Sequence, residues 1–312
     1  MSYAFDPELA AAIELLPKID LTDLTAAREG MKKLLAEQPE PDGTGVTVTG
    51  LVVPGPAGAP DVPLRIYRPD TPSGPVGIYD VHGGGFILGD LDMVHASNLT
   101  LAREVGAVVV TVDYRLAPEH RYPAGLEDCY AGLVWFAEHA EEYGVDPARI
   151  AIHGISAGGG LCAALALLAR DRGGPAIAFQ YLGVPEVDDR LGTPSMTAYT
   201  DTPLWNRPNA VFSWDAYLGA GVPGSADVPV YAAPARATDL VGLPPAYVSA
   251  MEFDPLRDES VGYALALQAA GVQVELHMFP GTFHGSALVE HAAVSQREKS
   301  EAITVLRRGL QV

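Results

Sequence analysis

The sequence predicts an α/β fold, a mostly parallel sheet with helices on both faces, and three features predict it. Residues 76–81 and 107–112 are nearly continuous apolar runs, as strands buried on both faces require. Strand and helix patterns alternate through the chain that follows, which is the mark of a parallel sheet with crossover helices. Between a short apolar strand and a helix of Ala and Leu stands Gly154-Ile155-Ser156-Ala157-Gly158. Small residues there let the backbone turn sharply and lift Ser156 clear of the sheet.

The elements can be taken in order. From Pro7 to Gln38 the spacing of Leu9, Ile13 and Leu16, then of Leu24, Met31 and Leu35, predicts two helices separated by Pro17. Residues 47–53 and 62–67 read as antiparallel strands joined through the turn-rich 54–58. Further strands are expected at 150–153, 176–182, 246–250 and 274–279, with helices at 91–105, 124–143, 157–170, 258–269 and 287–308. One segment breaks the alternation. Residues 188–224 carry no strand signal but hold Tyr199, Trp205, Phe212, Trp214 and Tyr217. They read as an inserted helical cap which, with the amino-terminal helices, roofs an apolar pocket at the carboxyl ends of the strands.

Bulk properties exclude several classes of function. A formal net charge of -19 opposes binding to nucleic acid or anionic lipid. No apolar run is long enough to span a bilayer, and Met1 to Glu8 lack the basic and apolar regions of a secretory leader, so a cytoplasmic location is expected. The two cysteines, Cys129 and Cys162, fall in segments that read as buried helices and are expected as free thiols. Neither a metal site nor a cofactor is indicated.

The chemistry-bearing residues surround Ser156. The N–H of Ala157 and the start of the following helix point toward the space beside the serine oxygen, where negative charge would be stabilised. His82-Gly83-Gly84-Gly85-Phe86 follows a buried strand, and its unshielded N–H groups form a loop able to bind an oxyanion. A serine hydroxyl needs a base, and imidazole, with an ordinary pKa near 6.5, suits that exchange. His284 stands just beyond the last strand, at the end of the sheet where Ser156 should lie. His277 falls inside that strand as a packed side chain, and His153 lies in the strand beneath the turn. His95 and His120 could border the pocket, while His139 and His291 read as solvent-facing helix residues. The orienting acid should fall between nucleophile and base in the chain. Asp254 fits, with Glu252 two residues closer to the strand and Asp258 read as a helix cap.

Together with Val112-Asp113-Tyr114-Arg115-Leu116-Ala117-Pro118-Glu119 and Asp254-Pro255-Leu256-Arg257-Asp258, these motifs resemble the hormone-sensitive-lipase family of α/β-hydrolases, bacterial carboxylesterases with a helical cap. The resemblance runs through essentially the whole chain. It implies one α/β-hydrolase domain over 1–312, capped by about 1–42 and 188–224. It implies Ser156 as nucleophile, Asp254 and His284 as its partners, and the N–H groups of Gly84, Gly85 and Ala157 as the oxyanion hole. The block from Asp113 to Glu119 is similar to one that is structural in the family. The expected partner is a small-molecule ester, of short acyl chain by the family and the aromatic cap, and a homodimer through edge strands is a further expectation. Ile155 stands where relatives usually carry Asp or Thr, and Gly160 where Asn is common. Two other functions suit the same scaffold: a non-catalytic small-molecule receptor, and an amidase, formamidase or acyl-transferase with the same triad. The presence of His284 beside Ser156 and Asp254 argues for catalysis over the first of these.

Overall fold

The computed structural model describes residues 3–17 and 20–312. Met1, Ser2, Lys18 and Ile19, which fall within the expected cap segment 1–42, lie outside the described residues. Among the described residues eight strands form one sheet: β1 (Val46–Val53), β2 (Val62–Pro69), β3 (Gly77–Val81), β4 (Val108–Val112), β5 (Ile150–Ile155), β6 (Phe179–Gly183), β7 (Ala246–Met251) and β8 (Val274–Phe279). Their order across the sheet is β1-β2-β4-β3-β5-β6-β7-β8. The expected hairpin is present. β2 runs antiparallel to both β1 and β4, and every later pairing is parallel.

Strand alternation divides the core between two faces. Ile78, Val109, Ala151, Tyr181 and Tyr247 point to the face covered by α3 (His95–Val105) and α9 (Ala293–Leu310). Their neighbours Tyr79, Val110, Ile152, Leu182 and Val248 point to the other face. That face is covered by α4 (Ala124–His139), α5 (Ala157–Arg172) and α8 (Arg257–Ala269). From Ala157 to Ala169, α5 carries only Gly, Ala, Leu and Cys and is buried on every side.

Four other helices among the described residues lie outside these layers: α1 (Pro7–Ala12), α2 (Leu24–Ala36), α6 (Pro194–Ala198) and α7 (Arg207–Leu218). α1 packs Leu9 and Ala12 against Phe283, Val289 and Ala292. α2 is tied down by Arg28, which donates to the carbonyls of Ile87 and Ala117 and makes a two-pronged ion pair with Glu119. Among the described residues of 188–224 there is no strand, as expected.

Several boundaries and roles differ from the sequence expectation. α3 begins at His95 rather than 91, because the Asp90 carboxylate accepts from the N–H groups of Asp92 and Met93 and forms a turn first. α9 begins at Ala293 rather than 287. Burial of Val289 and Ala292 against α1 takes the chain through a separate turn, and His291 lies in that turn, not in a helix. β6 starts at Phe179, three residues later than expected. His139 is half-buried, stacked on Trp135. Asp258 does not cap α8. It lies inside the helix and accepts from the Ser195 N–H at 2.7 Å, while its own N–H donates to Ser195 Oγ at 3.0 Å, so it fastens α6 to α8.

Within the block from Asp113 to Glu119, Tyr114, Arg115 and Glu119 make structural contacts. Tyr114 donates to the His82 carbonyl and stacks on the His82 ring, and Arg115 makes a two-pronged pair with Asp128. The Asp128 side chain is 2% exposed. Arg115→Met should therefore leave a buried carboxylate without its cation and cost about 3–5 kcal/mol. The measurement is urea unfolding, with a lower midpoint expected at an unchanged slope.

Candidate active site

The turn at Ser156 is as tight as the sequence suggested. Ser156 has φ 60° and ψ -126°, a conformation that costs a side-chain-bearing residue about 1–3 kcal/mol. Surrounding bonds hold it there: its N–H donates to the Gly183 carbonyl, and its carbonyl accepts from Gly160 and Glu186. The glycines are needed for space. A Cβ on Gly154 would strike the backbone of Gly158, and one on Gly158 would strike the carbonyls of Val81 and His82. Helix α5 can therefore start directly against β3 and β5.

Two other loops meet the serine. β7 and β8 are adjacent and parallel, so the loops leaving their carboxyl ends run side by side. The N–H of Glu252 donates to the Phe279 carbonyl and that of Phe253 to the Thr282 carbonyl, while the Gly281 N–H donates to the Glu252 carboxylate. Glu252, the alternative acid, is thus used to bind the two loops together. Asp254 is fully buried, with one oxygen accepting from the Leu256 N–H and the other 2.7 Å from His284 Nδ1. A carboxylate only accepts, so Nδ1 carries the hydrogen and Nε2 faces Ser156 Oγ as an acceptor, at 3.0 Å. The structure brings Ser156, His284 and Asp254 into one hydrogen-bonded line.

The glycine loop closes the other side. Gly84, Gly85 and Phe86 all have positive φ, at 110°, 59° and 62°. The loop is pinned by bonds from Ile87 and Leu88 to the Gly84 carbonyl and from Ala117 to the Phe86 carbonyl. Among the described residues nothing accepts from the N–H groups of Gly84, Gly85 or Ala157. His82 gives its Nδ1 hydrogen to the Gly83 carbonyl, and burial pushes its pKa down, so it stands as a neutral structural ring.

The aromatic segment divides between anchoring and covering. Trp214 is fully buried, and Tyr217 stacks on Phe86. Trp205 leans over the His284 ring at 5.9 Å between centroids and leaves no room for a side chain on Gly85. Ile155 is 47% exposed, an open apolar side chain next to the serine. Gly160 faces the Glu186 carbonyl so closely that a Cβ there would strike it.

The remaining histidines lie elsewhere. His95 contacts Tyr67 Oη, His277 pairs with Glu301, and His153 lies 2.7 Å from the buried Asp80. His120 lines a separate cleft of about 460 Å³ with Arg28, Lys32, Asp90 and Asp113, and none of Ser156, Asp254 or His284 borders it. Sequence reasoning passed over Glu186 and Ser213. The signal for the first was a lone acid inside the apolar run Leu182-Gly183-Val184-Pro185-Glu186-Val187.

A serine on a strand-to-helix elbow, set on an eight-stranded mostly parallel sheet, defines the class: an α/β-hydrolase. A family model described as the alpha/beta hydrolase fold matches residues 78–288. Esterase LipI of Mycobacterium tuberculosis is 40% identical over 293 residues, covering 90% of this chain and 88% of that protein. Carboxylesterase NlhH of the same species is 44% identical over 263 residues, covering 81% and 80%. A solved bacterial heroin esterase is 53% identical, with a TM-score of 0.94 over 98% of both chains. The chain belongs to the hormone-sensitive-lipase family of α/β-hydrolases and is a carboxylic ester hydrolase.

The amino-terminal segment reaches this site. The Phe5 ring meets Phe253 and Phe283 edge-on, beside Asp254 and His284, and the Asp6 N–H donates to the Gly281 carbonyl. Two such ring pairs are together worth roughly 1–3 kcal/mol. Phe5→Ala should therefore speed amide hydrogen exchange in 281–286 while the strands stay protected. Unchanged exchange there would show that the loop holds itself.

Proposed function

We propose that the protein hydrolyses small, short-acyl-chain esters through an acyl-enzyme on Ser156. The observation that carries this reading is the line from Asp254 through His284 to Ser156, at 2.7 and 3.0 Å. Ser156 attacks the ester carbonyl as His284 Nε2 takes its proton. Asp254 fixes the tautomer and stabilises the imidazolium. The N–H groups of Gly84, Gly85 and Ala157 receive the oxyanion, each contributing about 3 kcal/mol to lowering the barrier. His284 then returns the proton to the leaving alcohol, and water, activated in the same way, releases the acid.

Segments 1–42 and 188–224 form the cap in this proposal, supported by Trp205 over His284 and by Phe5 and α1 on the loop beside it. A cap that leaves little space over Gly85 favours short acyl groups. A homodimer is proposed through β8, an edge strand with Leu276 and Met278 exposed. A cytoplasmic location is proposed from the buried, unpaired thiols of Cys129 and Cys162. Among the described residues, no helix is long and apolar enough to cross a membrane.

The test is hydrolysis of 4-nitrophenyl esters from acetate to palmitate. Ser156→Ala and His284→Ala should each abolish turnover, and the double variant should lose no more than either single one, as residues acting as a unit do. Asp254→Asn should lower kcat by roughly 10³- to 10⁴-fold. A folded Ser156→Ala protein that still turns over, or an optimum at long chains, would overturn the mechanism or the pocket size respectively.

A further inference from the structure

Beside the nucleophile lies a carboxyl that this mechanism leaves unused. Glu186, in the loop after β6, is fully buried, and its N–H donates to the Ser156 carbonyl at 3.1 Å. Its Oε1 is 3.1 Å from Ser213 Oγ on α7, and that hydroxyl is 2.8 Å from the Gly85 carbonyl oxygen. Its Oε2 has no partner among the described residues. A hydroxyl has one hydrogen to give. The Gly85 carbonyl can only accept, so the Ser213 hydrogen goes there, and the second contact needs a hydrogen from Glu186.

We propose that Glu186 is a positioning residue held as a neutral carboxylic acid, whose proton bonds Ser213 and so, through Ser213, fixes the Gly85 carbonyl and the oxyanion loop. The surroundings favour the neutral form. The titratable groups facing Glu186 are Asp254 after β7, Glu259 of α8, Tyr114 after β4 and Tyr217 of α7, and none is a cation. Burial, with the charge of Asp254 adding to it, pushes the Glu186 carboxyl up to about 8. An ionised Glu186 would leave Ser213 with two acceptors for one hydrogen and place negative charge two hydrogen bonds from the loop that must receive an oxyanion. Stability follows the same sign. A raised pKa in the folded state favours the fold at acidic pH, and that contribution is lost as pH rises from the ordinary carboxyl range to about 8.

The inference rests on the oxyanion role given to Gly84 and Gly85 above, and the experiment separates the two. Steady-state hydrolysis of 4-nitrophenyl acetate is followed from pH 6 to 10 in wild type, Glu186→Gln, Glu186→Leu, Ser213→Ala and Ser156→Ala. A group titrating near 8 is about nine-tenths ionised one unit higher, so wild-type kcat should fall about tenfold between pH 7 and 9. The Gln amide still donates to Ser213 but cannot ionise. Glu186→Gln should stay within about threefold of wild type at pH 7 and hold level to pH 9, whereas Glu186→Leu and Ser213→Ala should lose about tenfold in kcat with KM little changed. An alkaline fall in Glu186→Gln equal to that of wild type, or a loss at pH 7 equal to that of Glu186→Leu, overturns the inference. Turnover in Ser156→Ala instead overturns the acyl-enzyme reading beneath it.

Discussion

Everything at this site depends on how closely α5 approaches β3 and β5. A side chain on Gly154 or Gly158 would push the helix away from the sheet, and the backbone at Ser156 would relax out of its positive φ. With the helix seated, α5 begins directly after Ser156, and the N–H groups of Ala157, Gly84 and Gly85 have no acceptor among the described residues. The strain at Ser156 persists because its N–H, its carbonyl and the helix behind it are all held by neighbours that are themselves buried.

Two carboxyl groups near the serine are set apart by the donors around them. Asp254 has a donor for each oxygen, the Leu256 N–H and the His284 ring, which suits a charged group. Glu186 has an oxygen with no donor and an acid as neighbour, which suits a neutral one. Placing a charged and a neutral acid close together avoids the repulsion of two buried negative charges. The overall acidity of the chain plays no visible part here. It is the local supply of N–H groups that separates the two roles.

Much of this was legible in the sequence, because the informative residues are local. Glycines flanking a serine, three glycines after a strand, and a Phe-His-Gly after the last strand each report a backbone requirement met within a few residues. The strand runs at 76–81 and 107–112 were equally plain, since burial on both faces leaves an unbroken apolar signature. What escaped depends on distant packing. The late start of α9 follows from Val289 and Ala292 meeting α1, and the role of Asp258 follows from its meeting Ser195, far apart in the chain in both cases. Ser213 was silent for the same reason, and Glu186 showed only as a lone acid in an apolar run: a hydroxyl in a helix and an acid in a loop acquire meaning only when brought together with Gly85.

The bond between Asp6 and Gly281 joins opposite regions of the polypeptide. Phe5 and Leu9 find their partners only when β8 and the turn after it are in place. The strand pairings of the sheet close over shorter spans of chain, whereas this contact links residues 6 and 281, the kind of long-range closure that is costly to form. The loop that carries His284 is thus anchored through a contact of high sequence separation, and a fault in either segment would be felt in the other.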